Sequence, residues 1–413
     1  MSSFHIAFVS LEYAGIAAGG GIGTYVRNAA AMLAARGHRV EVFTEGPDAR
    51  NFDDGAVRVH TVPVADRRDF ARAVLPAFAA RHLTDPFEVV EGPEYGADAA
   101  HVAEAFPDVA LVVKLHTPEF LVSEINDRYV PLAARARFWA GALRRGRLPG
   151  PYYTYDVAAD AERAHTLRAD EITAPSRAIL DVLRNRWALP AGRLAVVPNV
   201  FTPPAALLAV RPETDTRRVL FVGKLEVRKG VLDLAAAVPL VLARVPDVRF
   251  RFVGRSLPLP GSGRDLADVM RERLGRHVAA VEFVDAVPYD QIPALYAEAD
   301  VCAFPSVFEA AGYVCLEAMS AARGVVASSA GGMAEMMTDG ETGHLVPPND
   351  PRALADAIAD LLIDRDARTA MGRAARLAVR AFSAEAVAPV QEASYARAIA
   401  RAAARTPEPV PTR

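Results

Sequence analysis

The stretch Arg218–Val253 decides the fold, and it reads RVLFVGKLEVRKGVLDLAAAVPLVLARVPDVRFRFV. Residues 218–222 predict an apolar strand, residues 223–230 a loop and residues 231–245 a helix, and residues 248–253 predict the next strand. Elements in this order place the two strands in parallel within one sheet. The stretch therefore predicts an α/β domain built around a parallel sheet.

The same order of elements occurs near the amino end of the chain. Residues 4–10 predict a strand, and the glycine-rich segment Gly19–Gly23 predicts a loop. A predicted helix over 24–36 and a predicted strand over 40–44 follow. Two such beginnings in a chain of 413 residues indicate an α/β protein with two Rossmann-like domains.

Further predicted strands extend both domains, at 57–62, 87–91, 109–115, 171–174, 194–197, 281–284, 301–304 and 325–328. We expect an N-terminal domain over 1–205, a linker within 203–215 and a C-terminal domain over 206–385. A C-terminal helix over 386–404 should cross back to the first domain, ahead of a flexible tail over 405–413. Because ligands bind at the carboxyl ends of parallel strands, we expect the domains to face each other across a deep cleft.

The composition excludes several classes of protein. The net charge of -3 gives no basic excess that would indicate nucleic-acid binding. Cys302 and Cys315 lie in apolar runs, without disulfide or metal-ligand spacing. No apolar run approaches membrane-spanning length, and the first residues lack the basic start of a signal peptide. We therefore expect a cytoplasmic protein.

Two glutamates flank the beginning of one predicted helix. Glu309 and Glu317 belong to the segment Ala303–Ser320, in which a helix begins near Gly312. Glu309 is predicted in the loop after a strand and Glu317 about one turn into the helix, whose N-terminus offers backbone amides to an anion. One carboxylate can bind ribose hydroxyls while the other faces a sugar. The alternative is that the two acids share no task.

Charged and glycine-rich loops follow the first strand of each domain. Loop 223–230 holds Lys224 and Lys229 ahead of a helix N-terminus, an arrangement that suits phosphate oxygens; a solvated charged loop is the alternative. Gly19–Gly23 lets a ligand approach the backbone, but it lacks the last glycine or alanine of the dinucleotide fingerprint. Because Glu45 ends the second predicted strand, a nicotinamide-dependent oxidoreductase remains an alternative function.

Two further side chains follow predicted strands and are expected at the cleft. His116 follows the strand 109–115, and Glu91 ends another strand. For His116, a buried structural role is the alternative. Asp364 and Asp366 have the alternating pattern of a metal-binding motif, but they follow a predicted surface helix, so we predict a helix cap and no metal site there.

Taken together, these motifs resemble family 4 of the retaining glycosyltransferases, which have the GT-B architecture. The resemblance covers most of the chain. Its segments are the glycine loop, Leu115–Pro118, Pro198–Asn199, Val222–Gly230, Ala299–Val301, Phe304–Glu317, Gly331–Glu335 and Asp339–Val346. The lysine loop followed by the paired glutamates is the specific part of the pattern.

The resemblance implies that a sugar passes from a nucleotide-diphosphate sugar to the hydroxyl of a glycan, a glycolipid or a small-molecule natural product. It implies retention of anomeric configuration, no cofactor and no required metal. Lys224 and Lys229 would bind the donor diphosphate, with arginine more usual where Lys224 stands, and Glu317 would hold the ribose. The catalytic residues implied are His116, Glu309 and Lys229, and the backbone implied around the phosphates is that of Gly20, Gly21, Gly312, Tyr313 and Val314.

The acceptor side leaves fewer marks in the sequence. Residues 128–147 combine six arginines with aromatic and leucine side chains. Such a stretch can contact the inner face of a membrane or bind a phosphorylated acceptor; a solvated helix that packs on the first domain is the alternative. A non-catalytic sugar-nucleotide-binding protein would also keep Glu317 and the lysines, so it is a further alternative function.

Overall fold

The computed structural model describes residues 3–16 and 20–405. Gly19 and residues 406–413 of the predicted tail lie outside the described residues. The strands are β1 His5–Val9, β2 Arg39–Glu45, β3 Arg50–Asp54, β4 Val57–Val62, β5 Val89–Pro93, β6 Ala110–Lys114, β7 Glu171–Ala174, β8 Leu194–Val196, β9 Arg218–Val222, β10 Arg249–Val253, β11 Val281–Val284, β12 Val301–Phe304, β13 Gly324–Ser328 and β14 His344–Val346. The helices are α1 Gly21–Ala35, α2 Phe70–Ala73, α3 Leu75–Thr84, α4 Ala100–Ala105, α5 Glu119–Arg128, α6 Leu132–Arg144, α7 Ala161–Arg168, α8 Arg177–Trp187, α9 Ala205–Leu208, α10 Val231–Arg244, α11 Leu266–Leu274, α12 Ile292–Ala297, α13 Tyr313–Ser320, α14 Pro351–Ile363, α15 Arg365–Ala378 and α16 Ala384–Ala403.

The chain forms two compact units, and each is built from more than one stretch of sequence. The first unit contains the residues up to Pro118, residues 156–202 and the residues from Phe382 onward. The second unit contains residues 119–155 and 203–381. Helix α16 therefore groups with the first unit, whereas α5 and α6 group with the second, although the sequence predicted 119–155 within the N-terminal domain.

A close backbone approach explains why residues 119–155 group with the second unit. Gly261 has a φ of +69°, and a Cβ there would lie 2.8 Å from a methyl group of Val130 and 3.4 Å from that of Ala134. The Tyr129 hydroxyl also donates a hydrogen bond of 2.9 Å to the Asn349 side chain. These partners lie far from α5 and α6 in sequence, so local patterns could not assign the segment.

The first unit is built on an eight-stranded sheet in the order β3-β4-β2-β1-β5-β6-β7-β8. The strands are parallel except β3, which pairs antiparallel with β4 at the edge. Strands β1, β5, β6 and β7 are buried along their whole length, as expected for a parallel sheet covered on both faces. The sequence did not predict β3, because its residues, Arg50–Asp54, are mostly polar and partly exposed.

The second unit has a parallel six-stranded sheet in the order β11-β10-β9-β12-β13-β14. Helices α10 and α14 pack their apolar faces into its core through side chains such as Leu234, Val238, Leu354 and Ile358. The central strands β9 and β12 end at loops 223–230 and 305–312, so both predicted ligand loops leave the same edge of this sheet.

A buried polar cluster connects α16 to the first sheet. The Glu91 carboxylate in β5 accepts hydrogen bonds from the hydroxyls of Tyr25 at 2.6 Å and Tyr395 at 2.7 Å. The Gln391 amide donates to both tyrosine hydroxyls, and Lys114 is the nearby charge. Glu91 is thus wholly buried inside the sheet, and the expectation that it faces a ligand cleft was wrong.

Candidate functional site

The lysine loop of the second unit packs directly against the strand end that precedes Glu309. Gly230 has a φ of +68°, and a Cβ at this residue would lie 1.8 Å from the Pro305 carbonyl oxygen, so only glycine fits. The Val307 amide donates a hydrogen bond of 2.8 Å to the Arg228 carbonyl. These backbone contacts bring the two predicted loops together.

Glu309 lies between two cations of that loop. Its carboxylate forms an ion pair with the Lys229 ammonium group, and the same oxygen, Oε2, accepts a hydrogen bond of 3.1 Å from Arg228. Burial alone would raise the pKa of Glu309, but the charges of Lys229 and Arg228 lower it below its usual value. Glu309 is therefore ionised at neutral pH, and it is held in one place by two cations.

The backbone of Glu309 is fixed as tightly as its side chain. Its carbonyl accepts a hydrogen bond of 2.7 Å from the Gly332 amide. Gly331 has a φ of +86°, and a Cβ there would lie 2.3 Å from the same carbonyl oxygen. The loop after β13 thus packs against Glu309 in a way that only glycine permits.

Arg228 is a site residue that the sequence reasoning missed. Its guanidinium donates to Glu226 at 2.7 Å and to Glu309 at 3.1 Å, and the neighbouring acids raise its pKa although burial opposes that rise. In sequence it is one more arginine in a charged loop, so no local signal distinguishes it from a solvated residue.

Lys224 is not joined to this cluster. Its side chain is exposed, and within the described residues it forms no ion pair. Lys229 therefore contacts Glu309, whereas Lys224 lies exposed at the start of the same loop. A cation in that position remains available to a ligand.

Glu317 occupies a different environment, inside helix α13. The Tyr296 hydroxyl donates a hydrogen bond of 3.1 Å to its carboxylate. Burial raises the pKa of Glu317 to about 7, and hydrogen bonds from Tyr296 and Tyr289 oppose that rise. The two glutamates therefore differ in charge near neutral pH, because cations surround one and tyrosines surround the other.

The predicted phosphate-binding backbone lies at the beginning of α13. The helix begins at Tyr313, as predicted, so the amides of Tyr313 and Val314 belong to its first turn, which leaves amides without intrahelical acceptors. Gly312 precedes the helix, and a Cβ there would lie 2.7 Å from the Met333 side chain. Gly312 thus allows close packing of Met333 against the start of the helix.

His116 lies in the first unit, directly after β6. Its amide donates a hydrogen bond of 2.7 Å to Glu94, and its ring lies edge-on to Tyr25 at 5.6 Å between centroids. Burial, together with the charge of Lys114, lowers the pKa of His116 to about 3. The imidazole is therefore neutral at physiological pH.

The glycine segment of the first unit is less open than predicted. Helix α1 begins at Gly21 and not at residue 24, so Gly21 to Gly23 form its first turn. The Gly20 amide donates a hydrogen bond of 2.9 Å to the Glu12 carboxylate. The amide that was predicted to face a phosphate group is thus already hydrogen-bonded to an acidic side chain.

Buried carboxylates fix the loops at this edge of the first sheet. Asp98 accepts a hydrogen bond of 2.7 Å from the Leu11 amide, and Glu162 accepts one of 3.0 Å from the Gly96 amide. Burial raises the pKa of Asp98 to about 7, and burial with repulsion from Glu162 raises the pKa of Glu94 well above its usual value. These acids support the backbone beside His116.

A group with metal-like spacing lies at the opposite, amino-terminal edge of this sheet. Among the described residues, His5, Glu41 and Asp85 have ligand atoms within 4.8 Å of one another. Arg81 already bonds to both acids, at 3.0 Å to Glu41 and 2.9 Å to Asp85. A guanidinium in this position opposes a metal ion. Asp364, in contrast, caps α15 by accepting from Ala367, as predicted.

Two α/β units built on largely parallel sheets, with charged loops at the strand ends, match the architecture of the GT-B class of glycosyltransferase. The family model described as Glycosyl transferases group 1 matches residues 216–364, and the model described as Glycosyltransferase Family 4 matches residues 19–202. A D-inositol 3-phosphate glycosyltransferase of Kineococcus radiotolerans is 32% identical over 94% of this chain and 93% of its own. The chain belongs to glycosyltransferase family 4, and it is an enzyme.

Other similar proteins differ in their named activities. A glycogen synthase of Mycobacterium tuberculosis is 27% identical over 90% of this chain and 89% of its own length. Among solved structures, the sucrose-phosphate synthase of Thermosynechococcus elongatus is 25% identical, with a TM-score of 0.70 over 96% of this chain and 99% of its own. The HepE protein of Anabaena in complex with UDP-glucose is 20% identical, with a TM-score of 0.65 over 94% and 99% of the two chains. These likenesses show the GT-B fold.

Proposed function

We propose that this enzyme transfers a sugar from a nucleoside-diphosphate sugar to an acceptor hydroxyl, with retention of anomeric configuration and without a metal. The observation that carries the proposal is the ion-pair cluster of Lys229 and Arg228, in the loop before α10, with Glu309, in the loop that leads into α13. It combines cations for a diphosphate with a carboxylate for a developing positive charge. Membership of family 4 supports the donor class, as do the ligands named for similar structures, the nucleotide sugar UDP-glucose and the nucleoside diphosphate ADP.

The reaction breaks the bond between the sugar C1 and the diphosphate oxygen, and the electron pair leaves with the diphosphate. Lys229, Arg228 and the first turn of α13 stabilise the negative charge that grows on the leaving group. The ionised Glu309 stabilises the oxocarbenium-like sugar. The acceptor oxygen then bonds to C1, and its proton leaves with the diphosphate. His116, as a neutral hydrogen-bonding group, is proposed to orient the sugar.

The proposed independence from metal follows from the charges of the second unit. Lys224, Arg228 and Lys229 lie in one loop, and they supply the positive charge that a metal ion supplies in other transferases. Transfer should therefore proceed at an unchanged rate when a chelator is present. A rate that falls in chelator and returns with added Mg²⁺ or Mn²⁺ would contradict this part of the proposal.

Donor binding is tested by calorimetric titration with UDP, GDP, ADP and TDP in chelator. We expect one nucleotide to bind, and we expect Lys229→Ala and Glu317→Ala each to weaken that binding at least tenfold. Lys229→Ala removes a phosphate contact, whereas Glu317→Ala removes the acceptor of the ribose hydroxyls. Glu385→Ala, which alters an exposed acid at the start of α16, is the control and should bind like the parent protein. Binding that neither site variant weakens would disprove the assigned site.

Donor affinity should rise between pH 6 and pH 8. The pKa of Glu317 is about 7, and its ionised form is the better acceptor for ribose hydroxyls, so deprotonation favours binding. Titration with the nucleotide sugar is preferred, because its diphosphate has no ionisation near pH 7. We expect a several-fold gain in the parent protein and a flat profile in Glu317→Gln. The same profile in both proteins would remove Glu317 from the ribose site.

The alternative functions make different predictions. A dinucleotide would need the amides at the start of α1, and the Glu12 carboxylate, which accepts from Gly20, disfavours a pyrophosphate there. A non-catalytic binding protein would bind the nucleotide sugar and release no nucleotide in the presence of acceptors. Screening of glycans, glycolipids and small molecules, including D-inositol 3-phosphate, tests that outcome. The anomeric configuration of the product, read by NMR, tests retention.

A further inference from the structure

Helix α6 has a stripe of apolar side chains that is exposed to solvent. Leu132, Ala136, Trp139, Ala140 and Leu143 recur at i, i+4, i+7, i+8 and i+11, which is the spacing of one helix face. All five are exposed, Leu132 at 82% and Leu143 at 60%. A surface helix normally packs such a stripe on the protein core, so a stripe that faces outward indicates a contact with something else.

The other side of α6 attaches the helix to the second unit. Ala134 and Ala142 are the buried residues of the helix. The Phe138 ring packs on Tyr152 at 5.1 Å between centroids, and Ala134 lies close to Gly261. Because these contacts already fix α6 through its opposite side, the outward stripe does not contribute to the core of the unit.

The surroundings of the stripe are basic. Residues 128–155 contain six arginines and no acidic residue. Arg135 pairs with Asp127, whereas the exposed Arg137, Arg144, Arg145 and Arg147 form no ion pair within the described residues. Leu148, in the loop that follows, is 92% exposed. We call the outward stripe of α6, its flanking arginines and Leu148 the α6 surface.

We propose that the α6 surface docks on a membrane that carries anionic lipids. Leucine and tryptophan side chains enter the boundary between headgroups and acyl chains, while arginines beside them contact lipid phosphates. No described helix has the length and apolar content to cross a bilayer. A symmetric contact between two copies of the chain would bring the arginines of both copies together without acids to pair them. This repulsion disfavours a second copy as the partner of the α6 surface.

Vesicle co-sedimentation of the full chain tests the proposal. Each arginine at an anionic surface strengthens binding about fivefold. We expect the protein to bind vesicles of phosphatidylcholine with 30% phosphatidylglycerol at least tenfold more tightly than vesicles of phosphatidylcholine alone. Raising the salt from 50 to 500 mM should remove most of the difference, because the arginine contacts are screened.

A matched pair of double variants locates the binding surface. Leu143→Glu with Arg144→Glu changes an exposed leucine and arginine of the α6 surface. Leu377→Glu with Arg380→Glu makes the same changes on another exposed part of the second unit. The first variant should lose at least tenfold in affinity for the anionic vesicles, and the second should lose less than threefold.

Three results would overturn the proposal. They are an absence of binding to anionic vesicles at 50 mM salt, equal losses in the two double variants, and a concentration-dependent dimer that Leu143→Glu with Arg144→Glu dissociates while vesicles do not bind. Nucleotide binding and the thermal transition should be unchanged in both variants, so a failure here leaves the proposed transfer unaffected. The proposal concerns where the enzyme works and does not rest on its chemistry.

Discussion

Replacement of Glu309 by glutamine is expected to slow sugar transfer about 100- to 1,000-fold while nucleotide binding is kept. Glutamine preserves the shape of the side chain, but it carries no charge to stabilise the oxocarbenium-like sugar. Removal of one preorganised electrostatic group from an active site typically costs that much in kcat. Steady-state kinetics with the nucleotide sugar and an acceptor measure the loss.

The affinity for the nucleoside diphosphate should stay the same or increase in this variant. In the parent protein Glu309 neutralises part of the charge of Lys229 and Arg228. Glutamine leaves both cations in place without a competing carboxylate, so the diphosphate meets a more positive loop. A lower kcat combined with unweakened binding separates a role in chemistry from general damage to the site.

Glu226→Gln is the matched control for this experiment. Glu226 is the other acidic partner of Arg228, and it lies in the same loop. We assign it no contact with the sugar, so its variant should remain within about threefold of the parent rate. If Glu309→Gln also stays within threefold, or if the two variants lose equally, Glu309 is not the residue that faces the transferring sugar.

The sheets of both units could be predicted from sequence because parallel strands are locally distinctive. Largely apolar runs mark β1, β9, β12 and β13 within a residue of their observed bounds, since these strands are almost wholly buried. Strands β3 and β14 were missed. Both lie at sheet edges, where a strand is short and partly exposed and carries no apolar run.

The candidate site likewise has parts that local sequence predicts and parts that depend on contacts between distant residues. The spacing of Glu309 and Glu317 around a helix start is a local property, and the structure has the predicted loop and helix there. The ion pair between Arg228 and Glu309 and the Tyr296 contact to Glu317 arise only when distant segments fold together. Nothing local separates the largely covered Arg228 from the exposed Lys224 a few residues away, because both are charged residues in one polar loop.

Replacement of Glu91 by leucine is expected to destabilise the protein by about 3–5 kcal/mol. Glu91 is fully buried, and it is the counter-charge of Lys114. Leucine leaves that ammonium group with the Val197 carbonyl but without a counter-charge in a low dielectric, and it leaves the hydroxyls of Tyr25 and Tyr395 without their carboxylate acceptor. Chemical denaturation, followed by circular dichroism, measures the free energy of unfolding.

The double variant Glu91→Leu with Lys114→Met tests whether the unpaired charge causes that loss. Replacing both members of a buried ion pair by apolar groups of similar size is often neutral, whereas removing one member is strongly destabilising. We therefore expect the double variant to be more stable than Glu91→Leu alone, with an interaction energy of about 2 kcal/mol in the double-mutant cycle.

The remaining loss in the double variant should come from the tyrosines. Their hydroxyls still meet the Gln391 amide, which donates to both, but they have no carboxylate to donate to. Tyr395 belongs to α16, so this residual loss reports on how that helix is held against β5. The double variant could instead be no more stable than the single one. In that case the hydrogen bonds of Glu91 contribute more to the stability than its charge does. The cluster would then stabilise the packing of α16 through hydrogen bonds and not through a buried ion pair.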